Sequence, residues 1–299
     1  MKLGLRLPQR AEVDLRGDVL EVARAAEAAG FASLWTFERL LFPGAPKEPY
    51  PGRPDGVWPE SMRQTADPLA VLTAAAVVTE EVRLGTSVLV APLHTPIQLA
   101  KALATIDRIS GGRVIAGIGA GWSSDELQAV GVTRADRGRL IDETLDVFEA
   151  VWGPDPVSYR GSRTVIEDAY VLPKPVSWIP VMIGGGSGRK ALERIASRAD
   201  GWLSTGVTGA EANFATWQRI LELADDYGRG GDRIEHIACA NVMFTHARAD
   251  DDRPAFTGSF EQIVDDIAAV AATGADELVI DLSFQDWSTD AGRLRETAF

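Results

Sequence analysis

The sequence predicts an α/β protein built as a (β/α)8 TIM barrel with insertion loops. Three observations lead there. Short β-rich runs alternate with amphipathic helical runs along the whole chain. Eight strand candidates emerge, most of them followed by a helix, the count that closes a parallel barrel. The first strand ends in Leu7-Pro8-Gln9-Arg10, without the glycine-rich fingerprint a doubly wound open sheet usually carries at that turn.

The first strand spans Lys2–Leu7. A helix follows, with Leu20, Ala23 and Ala26 at helical spacing and Gly30 as its stop. Ser33–Phe37 is the second strand. Asp67 before Pro68 is an N-cap with proline at the first helical position, opening a helix to about Thr79. Arg83–Ala91 reads as the third strand. Thr95-Pro96-Ile97-Gln98 has the form of a capping box and opens a helix to Ile109. Arg113–Ile118 is the fourth strand, and a long helix covers Arg137–Trp152. Pro180–Ile183, Gly201–Ser204, Ile234–Thr245 and Glu277–Leu282 are strands five to eight. Helices are expected at Arg189–Arg198, Glu211–Tyr227, Phe260–Thr273 and Asp290–Ala298. Two insertions break the alternation, Leu41–Ala66 and Gly153–Trp178. The first holds six of the 16 prolines. Because it follows a strand, the barrel rule places it over the active-site face, as a lid or as a surface insertion. With no repeat and no composition shift, residues 1–299 read as one domain.

Composition narrows the function. Net charge is −13, which argues against nucleic-acid and anionic-membrane partners. One cysteine excludes an internal disulfide and a cysteine-based zinc site, and the three histidines form no local metal motif. The first ten residues lack the apolar core of a signal peptide, and no apolar run nears the roughly 18 residues of a membrane span. The expectation is a soluble cytoplasmic protein acting on a small molecule, with no metal.

Candidate chemistry lies at strand ends. Gly184-Gly185-Gly186-Ser187-Gly188-Arg189-Lys190 joins a strand to a helix. Backbone N–H groups without side-chain cover, a helix N-terminus and a serine hydroxyl suit a phosphate. The alternative is a tight turn needing positive φ. Gly117-Ile118-Gly119-Ala120-Gly121-Trp122 admits either a flat ligand or another backbone. Gly85-Thr86-Ser87-Val88 reads, taken alone, as a polar rung of the barrel interior. Glu38 and Arg39 follow the second strand and either orient substrate and handle a proton or form a salt-bridged rim. His94 reads as a loop residue, Cys239 as core, and His236 and His246 have no assigned role. No GxSxG elbow is present.

Taken together, these segments resemble the bacterial luciferase-like monooxygenase superfamily, and within it the branch using deazaflavin coenzyme F420. The resemblance runs from Ala28-Ala29-Gly30-Phe31 and Glu38-Arg39-Leu40 through Arg83-Leu84-Gly85-Thr86-Ser87-Val88 and Ala104-Thr105-Ile106-Asp107-Arg108-Ile109-Ser110-Gly111-Gly112-Arg113. It continues with Gly117–Trp122, Glu126, Gly131, Arg137-Gly138-Arg139, Asp142-Glu143, Pro173-Lys174-Pro175 and Gly184–Gly186. It implies a cofactor at the carboxyl end of the barrel, its phosphate held by Gly184, Gly185, Gly186 and Ser187. It also implies a bulge with a non-prolyl cis peptide at Ser87–Val88 against one face of the ring, beside Thr86, with Gly119, Ala120 and Gly121 flanking. F420 is the implied cofactor, with FMN as the alternative, and a homodimer is implied. The sugar-phosphate dehydrogenase of this branch carries Asp-His after strand two and a glutamate after the strand-four glycines. Here those positions read Glu38-Arg39 and Trp122, and Ser204–Thr208 lacks the expected lysine. The implied activity is hydride transfer to or from an apolar or aromatic substrate rather than a sugar phosphate. An FMN monooxygenase is the second reading, and a barrel that has lost catalysis the third.

Overall fold

The computed structural model describes residues 1–10, 13–53, 55–186, 188–205, 210–245, 247–250 and 252–283. Strand β1 (Lys2–Arg6) leads to α1 (Gly17–Ala28), and β2 (Ser33–Thr36) crosses the first insertion to α2 (Pro68–Val78). Strand β3 (Arg83–Thr86) and its continuation β4 (Leu89–Val90) precede α3 (Pro96–Ser110). Next come β5 (Val114–Gly119), α4 (Ser124–Ala129), α5 (Arg137–Trp152) and the hairpin β6 (Val157–Arg160) and β7 (Val165–Ala169). The chain continues through β8 (Val181–Gly184), α6 (Arg189–Arg198), β9 (Gly201–Thr205), α7 (Ala210–Asp226) and β10 (Glu235–Asn241). It then forms β11 (Met243–Phe244), β12 (Thr257–Gly258), α8 (Phe260–Ala272) and β13 (Glu277–Asp281).

The main sheet runs β3-β2-β1-β13-β10-β9-β8-β5-β4, and β3 also pairs with β5. Every pairing in it is parallel, as in Gly4↔Val279 and Gly117↔Met182. Because β3 and β4 are two parts of one strand, eight strands close on themselves. The architecture is the (β/α)8 barrel the sequence predicts.

Strand alternation sends successive side chains to opposite faces, so the barrel has two cores. Outward residues such as Leu34, Leu84 and Ala116 pack against Leu72, Leu103 and Phe148 of the helices. Inward residues Trp35, Ile115, Met182, Leu203, Ile237 and Val279 form a separate apolar plug. That plug is the floor of whatever lies above it.

Several expectations need correction. The third strand does not run unbroken from Arg83 to Ala91. It is interrupted at Ser87–Val88, whose peptide bond is cis, as the resemblance implies. Thr95 makes no side-chain cap, so the capping box does not form; Pro96 at the first position starts α3 without it. The seventh strand leaves the barrel at Asn241, because its neighbour β13 ends at Asp281; Met243 then pairs with Thr257 outside. Helix α4 and the β6–β7 hairpin were not anticipated. A signal for α4 was present in Ser123-Ser124-Asp125-Glu126, where the Ser123 side chain accepts from the Glu126 N–H. The helix expected at 290–298 lies outside the described residues, as do Ser187 and His246. No described helix is long and apolar enough to cross a membrane.

Candidate active site

Two residues beyond each plug position, the alternation turns the next side chain inward at the carboxyl end. Those positions are Phe37, Gly117, Gly184, Thr205, Cys239 and Asp281. Arg6 and Ser87 occupy the same place after Gly4 and Gly85, glycines that lie against the Trp35 side chain. The apolar plug is therefore capped by a layer of small and polar groups.

On one side of this layer Arg6 is the hub. Its Nη1 donates to Asp281 Oδ2 at 3.0 Å. Its Nη2 donates to the Ser87 hydroxyl at 2.7 Å and to the Ser87 carbonyl at 3.2 Å. Arg10 Nη2 is 3.8 Å from the same Asp281 carboxylate. Both guanidiniums lie against Phe37, 5.3 and 4.9 Å from the ring centre. Burial alone would push the Asp281 carboxyl up; Arg6 and Arg10, with hydrogen bonds from Ser283, hold it below its ordinary value. The Cys239 thiol sits 3.3 Å from the Ser87 hydroxyl, and burial pushes its pKa up. Cys239 packs against the plug, as a core reading expects, and its thiol also meets this cluster.

On the other side stand the residues after β2. Glu38 Oε2 accepts the Val90 N–H at 2.6 Å, and Oε1 lies 2.8 Å from His94 Nε2. Glu38 thus ties β2 to the strand segment just past the bulge. Arg39 Nη2 pairs with Glu126 Oε2 at 2.6 Å, and Glu126 Oε1 accepts the Leu40 N–H at 2.7 Å. Burial lowers the Arg39 pKa and raises that of Glu126, since each charge has left water for its partner. The Arg39 guanidinium lies 5.4 Å from the Trp58 ring and 5.0 Å from the Trp122 ring.

The first insertion comes back across this mouth. Trp58 and Trp122 pack at 4.9 Å between centroids, and Tyr50 lies 5.8 Å from Trp122. Glu48 fastens the insertion by accepting from Ser124 and pairing with Arg134 at 2.9 Å. Burial raises the Tyr50 pKa, helped by Asp281 and opposed by the positive charges of Arg10, Arg6 and Arg39.

Between the two sides, Val88 projects over glycines. A Cβ on Gly119 would meet Val88 Cγ2 at 2.7 Å, and one on Gly184 would meet Val88 Cγ1 at 2.6 Å. Gly121, at φ +71°, lies against Val90. Beyond them the chain turns at Gly185, Gly186 and Gly188, where an added Cβ meets nothing closer than 3.9 Å. This turn opens α6, whose N-cap Gly188 has no side-chain cap, and Trp202 Nε1 steadies it through the Gly185 carbonyl at 3.2 Å. Open backbone at a helix N-terminus next to a shelf suits a flat group with an anionic tail.

The structure brings Glu38, Arg39, Ser87, Val88, Gly119, Gly121 and Gly184–Gly186 to one end of the barrel, and Ala120 packs partly against the helical core. The Thr86 hydroxyl turns aside, donating to the Gly117 carbonyl at 2.8 Å and accepting its N–H at 3.0 Å. Sequence reading missed Arg6, Arg10, Asp281, Tyr50 and Trp58. An arginine at an inward strand position was the available signal for Arg6. Among the described residues, no group of three His, Cys, Asp or Glu is placed to hold a metal ion.

The family described as luciferase-like monooxygenase matches residues 5–268. An uncharacterised protein of Mycobacterium tuberculosis is 37% identical over 185 residues; the match spans 61% of this chain and 66% of that protein, just under two thirds of its length. The F420-dependent glucose-6-phosphate dehydrogenase of Amycolatopsis mediterranei is 30% identical over 199 residues, 65% of this chain and 55% of that enzyme. Among solved structures, an F420-dependent secondary alcohol dehydrogenase with an F420-acetone adduct superposes at TM-score 0.76 and 18% identity, over 99% of this chain and 97% of that one. The oxygenating constituent of 3,6-diketocamphane monooxygenase from Pseudomonas putida, in complex with FMN, gives 0.73 and 16%, over 100% and 96%. Likeness at that identity shows the fold.

Proposed function

The chain belongs to the luciferase-like monooxygenase family, and from that premise we propose that it is an F420-dependent oxidoreductase. It passes a hydride between C5 of the deazaflavin and a small organic substrate. The observation that carries this reading is the Val88 shelf over Gly119 and Gly184, continuous with the open glycine turn that begins α6. The name of the 30%-identical relative supports F420; the FMN-bound neighbour supports FMN as the second reading.

Bound there, the cofactor supplies the two-electron chemistry, and the protein supplies position, dryness and charge. In this reading Gly184–Gly186 and Ser187 hold the phosphate. Ser87 and Val88 support one ring face, with Thr86 setting the strand beneath them and Gly119–Gly121 alongside. Arg39, fixed by Glu126, orients the substrate. Glu38 handles a proton through His94, whose side chain is 24% exposed. Tyr50, Trp58 and Trp122 exclude water and give the substrate an apolar or aromatic wall. A homodimer of this one barrel domain, working in the cytoplasm, belongs to the same proposal.

Fluorescence titration with F420 and FMN side by side tests it. Micromolar or tighter F420 binding with much weaker FMN binding supports the reading. Tight FMN binding, with oxygen consumed when reduced FMN is supplied, replaces it by the monooxygenase. Binding of neither overturns both.

A further inference from the structure

Arg6 lies below the proposed ring shelf and is hydrogen-bonded to it. One nitrogen, Nη2, holds both the carbonyl and the hydroxyl of Ser87. The other, Nη1, is fixed by Asp281, a residue 275 positions away. Its Nε is enclosed and donates no hydrogen bond among the described residues. The side chain is only 10% exposed, and the Phe37 face closes one side of it. The planar fork of a guanidinium suits this two-sided grip; the single ammonium of lysine keeps the charge with less of the geometry.

We propose that Arg6 is a positioning residue that fixes the Ser87 shelf and biases the site toward the reduced form of the cofactor. This rests on the reading that the ring lies against Ser87–Val88. A hydride carries one proton and two electrons. The accepting ring therefore gains one unit of negative charge, and the donor, having lost the pair, releases a proton to restore its own balance. A fixed cation beneath the shelf stabilises the form bearing that extra charge. Asp281, also buried, tempers the effect, because its carboxylate faces Arg6 directly and faces Arg10 at 3.8 Å.

The test compares the native protein with Arg6→Met, Arg6→Lys and Asp281→Asn. Each is titrated anaerobically with oxidised and with reduced coenzyme, using whichever of F420 and FMN the native protein selects. The readout is the ratio of the two dissociation constants. Arg6→Met should shift that ratio against the reduced form by roughly tenfold, about 1.4 kcal/mol. Arg6→Lys should restore most of it. Asp281→Asn should shift it the other way, severalfold, and so keeps the proposal testable should Arg6→Met fold poorly. If both constants weaken together in Arg6→Met, Arg6 only holds the shelf and the bias is overturned. A shift of the same sign in Arg6→Met and Asp281→Asn overturns it too. A native protein that binds neither coenzyme defeats the cofactor reading itself, which separates the two failures.

Discussion

The two ends of the barrel use similar parts to opposite effect. At the amino end Arg83 is flanked by two carboxylates, Glu277 at 2.8 Å and Glu235 at 3.0 Å. Glu277 also takes hydrogen bonds from the Ser33 hydroxyl and from the Trp35 indole at 3.1 Å. The clearances at the glycines there are filled by side chains: Gly85 makes room for the Trp35 ring, and Gly4 for Ser33, Glu277 and the Trp35 indole nitrogen. At the carboxyl end the ratio is reversed: two arginines approach one carboxylate, Asp281. There Val88 fills the clearance at Gly119 and Gly184, while Gly185, Gly186 and Gly188 stand open. A partly buried ion cluster and filled glycine clearances thus close the amino end, while the carboxyl end keeps an open turn. The difference lies at Gly185, Gly186 and Gly188, where no described side chain occupies the room.

The strongest way to break the comparison is at the sealed end. Trp35→Ala opens the plug and empties the clearance at Gly85. It should lower stability by about 3–5 kcal/mol in denaturant unfolding. A loss under about 1 kcal/mol would mean that the amino end is not held by that side chain.

Acid should act next, and on one region. His236 is buried against Trp202 and Trp217, at 4.8 and 5.1 Å between ring centres, and burial lowers its pKa to about 4. The unfolded chain takes up this proton near pH 6.5, before the folded one does. Stability should therefore fall as pH drops from 6.5 to 4, by up to about 3 kcal/mol, and be flat in this respect above 6.5. Asp281, held below its ordinary value, loses its contribution only at still lower pH. Unfolding free energies of the native protein and of His236→Phe across that range check it; parallel curves would remove His236 as the cause.

Glu38→Ala leaves the buried Val90 N–H without its acceptor. About 1.5–3 kcal/mol of stability should be lost. If Glu38 also handles a proton, Glu38→Gln should recover much of the stability without the turnover, in steady-state rates measured beside melting curves.

The smallest effect on the fold is expected at the open turn. A side chain at Gly185 has room, so Gly185→Trp should melt within a few degrees of the native protein. Its coenzyme affinity should nonetheless fall tenfold or more, about 1.4 kcal/mol. Unchanged affinity would mean that the turn is not the phosphate grip.

What was legible in the sequence was local. The α5 and α6 spans, Arg137–Trp152 and Arg189–Arg198, agree with expectation to the residue, because helical periodicity and the flanking breakers lie within the elements themselves. The Asp67 cap holds as read, its carboxylate accepting the Ala70 N–H at 2.8 Å. Thr95 shows the limit of the same logic: the right residues at the right spacing make no cap there. Ile234–Thr245 shows another, since β-rich composition does not say where a neighbouring strand ends.

The sequence by itself determined the strand and helix order, the barrel class, and the glycine and strand-end segments that carry the family resemblance. Only the tertiary structure decided that Arg6 meets Asp281 and Ser87, that Glu38 grips Val90, and that Tyr50 and Trp58 come back over the mouth. The physical reason is range. Periodicity, caps and turns are set by neighbours a few residues apart. The site, in contrast, is made when barrel closure brings together strand ends hundreds of residues apart, and no window of sequence contains that contact.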